Sequence, residues 1–221
     1  MTRVVIAIPV HRQMEADFGV CLASLTMFTV RQAPDIDIAV QRVSSSILAQ
    51  ARTRLWRWAE SNQADYILFA DADQTFPADA LLRLLAHRLD AVGANYRARV
   101  AEVVVSSGWG LDGQPLKLPR RGDGVEEVLH LGLGLCLLDV PAIRSKLAAQ
   151  AEREGRGTYY PLFAALPDPG GARHPNGDDK FIGEDVYFFD KLRAAGIELH
   201  VDHDLSLEVG HLADIHLAFP A

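Results

Sequence analysis

The rhythm of apolar positions changes several times along this chain. Val4 to Val10 is an almost unbroken apolar, β-branched run, the pattern of a strand covered on both faces in a parallel sheet, and Pro9 and His11 mark its end. From Glu15 to Arg31 the period becomes helical, with Phe18, Cys21, Leu22, Leu25 and Phe28 at three- and four-residue spacing. Ile36 to Val43 predicts a second strand. Ser44 to Ser46 then offer N-caps for a helix to about Ser61, with Ile47, Ala51, Leu55 and Trp58 as its inner stripe. Asp65 to Ala70 is a third strand. Pro77 and Asp79 open a helix whose Leu81, Leu82, Leu85 and Leu89 face the core, and Ala91 to Tyr96 predicts a fourth strand.

This alternation predicts an α/β chain with a doubly wound, mostly parallel sheet. Ligands then bind beyond the carboxyl ends of the strands, on the loops after Val10, Val43 and Ala70. The second half reads differently. Turns rich in Gly, Pro and charge run from Gly108 to Gly124, a mixed Gly-Leu strand spans Val128 to Asp139, and a helix runs from Pro141 to about Arg153. A smaller antiparallel part is expected here. Glu154 to Gly183 reads as a long loop that gates substrate, its stretch from Pro167 to Asp179 closing over the site. With no linker and no repeat visible, residues 1–221 are expected to form one domain, divided into halves near residue 100.

Composition narrows the partners. Of 221 residues, 49% are hydrophobic and 23% charged, which fits an ordinary globule and excludes a disordered or fibrous chain. A formal net charge of −7 leaves no generic basic face for nucleic acid, although Arg52, Arg54 and Arg57, and again Lys117, Arg120 and Arg121, concentrate positive charge locally. Cys21 and Cys136 sit among apolar neighbours and read as buried free thiols, hence a reducing compartment. No signal-peptide pattern opens the sequence, and no run approaches the roughly 20 apolar residues of a membrane helix, so a cytoplasmic protein without an integral membrane segment is expected.

Three features carry chemistry. In Tyr66-Ile67-Leu68-Phe69-Ala70-Asp71-Ala72-Asp73 an apolar strand runs straight into two carboxylates. On extended backbone Asp71 and Asp73 point to the same side and can share a divalent cation beside a diphosphate; alternatively one caps a turn and the other the following helix. Gly183-Glu184-Asp185 opens a late helix, where acidic residues either complement the helix dipole or supply a general base. His200, His203, His211 and His216 alternate with Asp202, Asp204 and Asp214 at spacings that match no common zinc pattern, so most read as surface histidines, with His211 the exception.

In this order, Asp71-Ala72-Asp73, Gly183-Glu184-Asp185 and His211 resemble the motifs of GT-A-fold glycosyltransferases, particularly the family 2-like group, over most of residues 4 to 212. The resemblance implies a nucleotide-diphospho-sugar transferase fold and a manganese or magnesium ion. It also implies transfer of one sugar from a nucleotide-diphosphate sugar, with inversion, to an acceptor hydroxyl of a glycan, a lipid-linked or a small molecule. By resemblance, Asp73 is the metal ligand, Asp71 reaches ribose or metal-bound water, and His211 is the C-terminal ligand. Asp185 resembles the catalytic base, with Glu184 its alternative. Pro9, Val10 and His11 look like the loop under the nucleoside, Ala72 lies between the two carboxylates, and Arg52 resembles a helix arginine that faces the donor. No Gln-x-x-Arg-Trp motif of processive synthases is present, and Trp109 is placed to meet either a sugar face or the core.

Two other readings compete. Asp71-Ala72-Asp73-Gln74-Thr75 also looks like the D-x-D-x-T of haloacid-dehalogenase-type phosphatases, which makes Asp71 a nucleophile and Asp73 a general acid, with Glu184, Asp185 and Asp190 on magnesium and Lys180 on phosphate. That motif opens the first strand of its fold, whereas two strand–helix units precede it here. A catalytically inactive nucleotide-sugar-binding module is the third reading. Retention of Asp73, Asp185 and His211 together argues against it.

Overall fold

A computed structural model describes residues 1–97, 106–167, 170, 181–212 and 216–217. In chain order the elements are β1 (Thr2–Val10), α1 (Ala16–Gln32), β2 (Ile36–Ser44), α2 (Leu48–Ser61), β3 (Tyr66–Ala70), β4 (Gln74–Thr75), α3 (Ala80–Ala86), β5 (Ala91–Gly93) and β6 (Trp109–Gly110). There follow β7 (Val125–His130), β8 (Leu135–Asp139), α4 (Val140–Arg153), β9 (Leu166–Pro167), β10 (Phe181–Ile182), α5 (Glu184–Ala194), β11 (Leu199–Asp202), α6 (His203–Ser206), β12 (Gly210–Leu212) and β13 (His216–Leu217).

The main sheet has the order β2-β1-β3-β8-β5-β11-β7-β6. β1 pairs in parallel with β2 and β3, and β11 with β5, while β8 is antiparallel to both its neighbours and β7 to both of its own. All its strands except β7 and β8 therefore point one way, as the sequence predicts. A second sheet, β13-β12-β4, is antiparallel throughout and supplies the expected smaller part.

Two apolar layers flank the main sheet, and β1 shows why. Val5 and Ala7 pack with Leu55, Trp56, Ile143 and Phe188 of α2, α4 and α5, while Val4, Ile6 and Ile8 pack with Phe18, Leu25, Leu81 and Leu84 of α1 and α3. Alternate side chains of one strand enter opposite cores, so neither face tolerates polar residues. Full burial of a Leu or Phe in such a layer contributes about 1.5–3 kcal/mol.

The structure departs from the sequence reading in four places. The buried arc of α2 is Ala51, Arg52, Leu55, Trp56 and Ala59, while Ile47 is half exposed and Trp58 only partly covered. The arc is turned because Arg52 faces inward. Ser45 does not cap α2; it lies two residues before the N-cap position, Ile47, whose N–H donates to its Oγ at 3.1 Å. The expected strand from Val128 to Asp139 is two strands, β7 and β8, placed apart in the sheet. The break falls at Gly132 and Gly134, which lie against the Tyr96 phenol: a Cβ on Gly134 would come within 2.7 Å of its oxygen and of Gln74 Nε2. Finally, the presumed loop after Glu154 is anchored in part. Tyr159 and Tyr160 both donate to Glu60, and Leu162 and Phe163 enter the core, Phe163 stacking on Phe188 at 4.5 Å between centroids. The stretch from Pro167 to Asp179 that is expected to gate the site lies, apart from Pro167 and Gly170, outside the described residues.

Both cysteines are free thiols. Cys136 is fully buried in β8 and burial pushes its pKa up to about 12, whereas Cys21 is half-buried on α1. At pH 8 a raised pKa leaves Cys136 as the unreactive thiol. DTNB is therefore expected to modify Cys21 alone in the native protein and both thiols in guanidinium; rapid reaction of Cys136 in the native protein would contradict the packing of β8.

Candidate functional site

β1, β2 and β3 are parallel, so Val10, Ser44 and Ala70 end on the same edge of the sheet. A cleft of about 760 Å³ opens there. Of the residues singled out in the sequence, Pro9, Val10, His11, Asp71, Ala72, Asp73, Asp185 and His211 all line it. Arg52 and Glu184 stand behind its surface.

Arg52 is 2% exposed. Its Nη2 donates to both oxygens of Asp71, at 3.0 and 3.1 Å, and its Nη1 donates to Glu184 Oε1. A buried guanidinium is stable only when paired, and two carboxylates from distant parts of the chain meet that need here. Burial works to lower the Arg52 pKa, but the charges of Asp71 and then Glu184 outweigh it, so the group stays protonated. Arg52 thus does not face the donor as the resemblance implied. It fixes Asp71 from behind and joins the end of β3 to the start of α5.

Asp73 and His211 meet through backbone pairing. β4, immediately after the carboxylates, pairs with β12, placing Gln74 opposite His211, and the Leu212 N–H donates to the Asp73 carbonyl at 2.7 Å. His211 Nε2 then lies 3.6 Å from Asp73 Oδ1, and its Nδ1 lies 3.1 Å from the Arg97 carbonyl. With Nδ1–H donating to that carbonyl, Nε2 keeps its lone pair toward Asp73. The 3.6 Å gap is too long for a hydrogen bond but suits two ligands that bind one cation at roughly 2.1 Å each. Among the described residues no group of three or more His, Cys, Asp or Glu side chains is gathered to hold a metal. Of the three side chains expected around a cation, Asp73 and His211 are adjacent, while Asp71 is bonded to Arg52.

At the start of α5 the two acidic residues separate. Glu184 is largely covered, and burial raises its pKa despite the opposing pull of Arg52. Asp185 lines the cleft, and its Oδ1 accepts from the Val186 N–H at 2.8 Å. A Cβ on Gly183 would lie 2.6 Å from that oxygen and push the Asp185 carboxylate aside.

No family model matches the chain, and no curated protein matches it. Solved structures do. A197 from STIV is 17% identical, with a TM-score of 0.56, over 100% of this chain and 95% of its own. A mutant Drosophila β1,4-galactosyltransferase 7, in complex with manganese, UDP-Gal and xylobiose, is 13% identical, with a TM-score of 0.51, over 100% of this chain and 72% of its own. The chain has a GT-A glycosyltransferase fold.

Within the GT-A fold the phosphatase assignments do not converge. Asp190 pairs with His130 at 2.7 Å and lines a separate hollow between α4 and α5, and Lys180 lies outside the described residues. The histidine series divides as well. His203 is not on the surface: it is 5% exposed and bound to Glu126 at 2.9 Å. His200 is partly covered, and Asp214 and the His216 side chain lie outside the described residues. Sequence reasoning missed Arg12, Gln13, Ser45, Tyr96 and Ser107, which also line the cleft. Nothing local in the sequence marks Tyr96, because the glycines at 132 and 134 that make room for its ring lie 36 and 38 residues away.

Replacing Arg52 with Met removes the one cation shared by two largely covered carboxylates. The expected loss of stability is about 3 kcal/mol, seen as a lowered guanidinium midpoint. A midpoint equal to wild type would show that the cluster contributes nothing to the fold.

Proposed function

We propose that this chain is a glycosyltransferase that moves one sugar from a nucleotide-diphosphate sugar to an acceptor hydroxyl, with inversion and with a manganese or magnesium ion. Residues 1–221 act in this reading as one domain, with a nucleotide-binding half to about residue 100 and an acceptor half beyond it. The observation that carries the proposal is Asp73 beside His211 in the same cleft as Asp185, at the carboxyl edge of a GT-A sheet. The galactosyltransferase it resembles in fold was solved with manganese and a UDP-sugar, which supports the same ligand class.

Pro9, Val10 and His11 end β1 and line the cleft where open α/β sheets take nucleotides. Asp73 and His211 supply an oxygen and an imidazole nitrogen, a donor set that suits manganese better than magnesium, which favours oxygen ligands alone. When bound, the cation neutralises charge on the departing diphosphate. Asp73 and His211 alone would hold such an ion weakly and would leave the remaining positions open to oxygens of the donor.

Asp185 receives the proton of the acceptor hydroxyl. Glu184, held by Arg52 away from the cleft surface, anchors the helix that presents Asp185. One carboxylate positions and the other reacts. No described helix is long and apolar enough to cross a membrane.

A thermal-shift screen of nucleotide diphosphates and their sugars, with and without manganese, tests the ligand class. Stabilisation is expected only when nucleotide and metal are both present, about 2–3 kcal/mol at a hundredfold excess over Kd. Asp73→Ala should melt like wild type and lose that response; unchanged calorimetric affinity for UDP plus manganese would remove Asp73 from the site. Asp185→Asn should cut turnover by about a hundredfold while donor affinity stays within about twofold. Normal turnover in that variant would take the base away from Asp185.

A further inference from the structure

One wall of the cleft plays no part in the scheme so far. Its described residues are Tyr96, Ser106, Ser107, Trp109 and Gly132, none of them charged, in contrast to the acidic and histidine residues around Asp73 and His211. Hydroxyls beside an aromatic ring suit the hydroxyl and C–H faces of a sugar.

Most of the polar groups in this wall are already committed. Asn95 is fully buried, and its Oδ1 accepts from Ser106 Oγ at 2.9 Å, Ser107 Oγ at 3.0 Å and the Ser107 N–H at 3.1 Å. Ser107 Oγ in turn accepts from the Tyr96 N–H at 3.1 Å. The serine hydroxyls therefore hold the backbone of the wall in place.

Tyr96 is built differently. Its ring stands edge-on to His211, with centroids 5.4 Å apart at 78°. Its phenol oxygen accepts the Gly134 N–H at 3.1 Å, and the space around that oxygen exists because residues 132 and 134 lack side chains. A phenol has one proton to donate, and among the described residues no acceptor is bonded to it. The residue is 7% exposed and lines the cleft next to Gly132, against whose backbone the phenol oxygen lies, so this donor sits at the cleft wall in a fixed and nearly dry position.

We propose that Tyr96 is a sugar-recognition residue, donating its phenol proton to an oxygen of the transferred sugar. The inference rests on the glycosyltransferase reading above. Tyr96 is then the specificity contact, because a fixed donor with no internal partner rejects a sugar that presents no acceptor there. The ring contact places this subsite next to His211, so sugar and diphosphate occupy adjoining parts of one cleft.

The experiment uses Tyr96→Phe, which keeps the ring and removes the hydroxyl. Calorimetric affinities are measured, with manganese, for UDP, GDP, UDP-glucose, UDP-galactose, UDP-GlcNAc and GDP-mannose. In wild type one sugar nucleotide should bind more tightly than its parent diphosphate. In Tyr96→Phe the parent diphosphate should bind within about twofold of wild type while the sugar nucleotide weakens about tenfold. Equal affinity of both proteins for the sugar nucleotide overturns the role of Tyr96 and leaves the transferase reading standing. If wild type binds none of the panel, the transferase reading fails first, and this inference with it. Should Tyr96→Phe not fold, the comparison is made on Gly132→Ala, whose added methyl displaces the phenol oxygen; undiminished preference for the sugar nucleotide there overturns the proposal equally.

Discussion

A single buried guanidinium sets the terms for this cleft. Arg52 lies on the inward face of α2, where an apolar residue would be the simpler choice, and its charge requires carboxylates close by. Asp71 comes from the end of β3 and Glu184 from the first turn of α5. Three elements that meet nowhere else in sequence are thereby locked at the floor of one cleft, with Asp71 fixed and Asp185 presented from the same helical turn as Glu184. The cost of burying charge is offset locally, and the gain is position.

A second constraint comes from the backbone. Asp73 and His211 are brought together by the ladder between β4 and β12, so the late histidine does not depend on side-chain packing to find its place. The Arg97 carbonyl then selects the His211 tautomer, and the edge of the Tyr96 ring limits how the imidazole can turn. Held in this way, Nε2 is the nitrogen that the proposed reading gives to the cation. The same tyrosine stands between the Asp73–His211 pair and the described uncharged wall of the cleft.

Sequence periodicity was a good guide to the sheet because β1, α1, α4 and α5 follow rules that act over a few residues. Continuous apolar runs fill two-sided strands, and Asp139 caps α4 within its own turn, accepting from the Ala142 N–H. Arg52 was not legible in the same way. A polar residue in a helix of mixed composition reads as solvent-facing, and its partners lie 19 and 132 residues away. Gly132 and Gly134 read as members of a strand because nothing local to them reveals the Tyr96 ring that excludes a side chain. His211 was marked by its order relative to the other motifs, and the strand that carries it was too short for any periodic signal.

The account turns on whether Asp73 and His211 bind the same cation in the presence of a diphosphate. Crystals grown with UDP and manganese, measured at the manganese absorption edge, would locate the ion directly. The expected result is an anomalous peak at roughly 2.1 Å from both an Asp73 carboxylate oxygen and His211 Nε2, with diphosphate oxygens completing the shell. A peak bound through Asp71 with His211 Nε2 turned elsewhere, or no peak in the cleft, would contradict it.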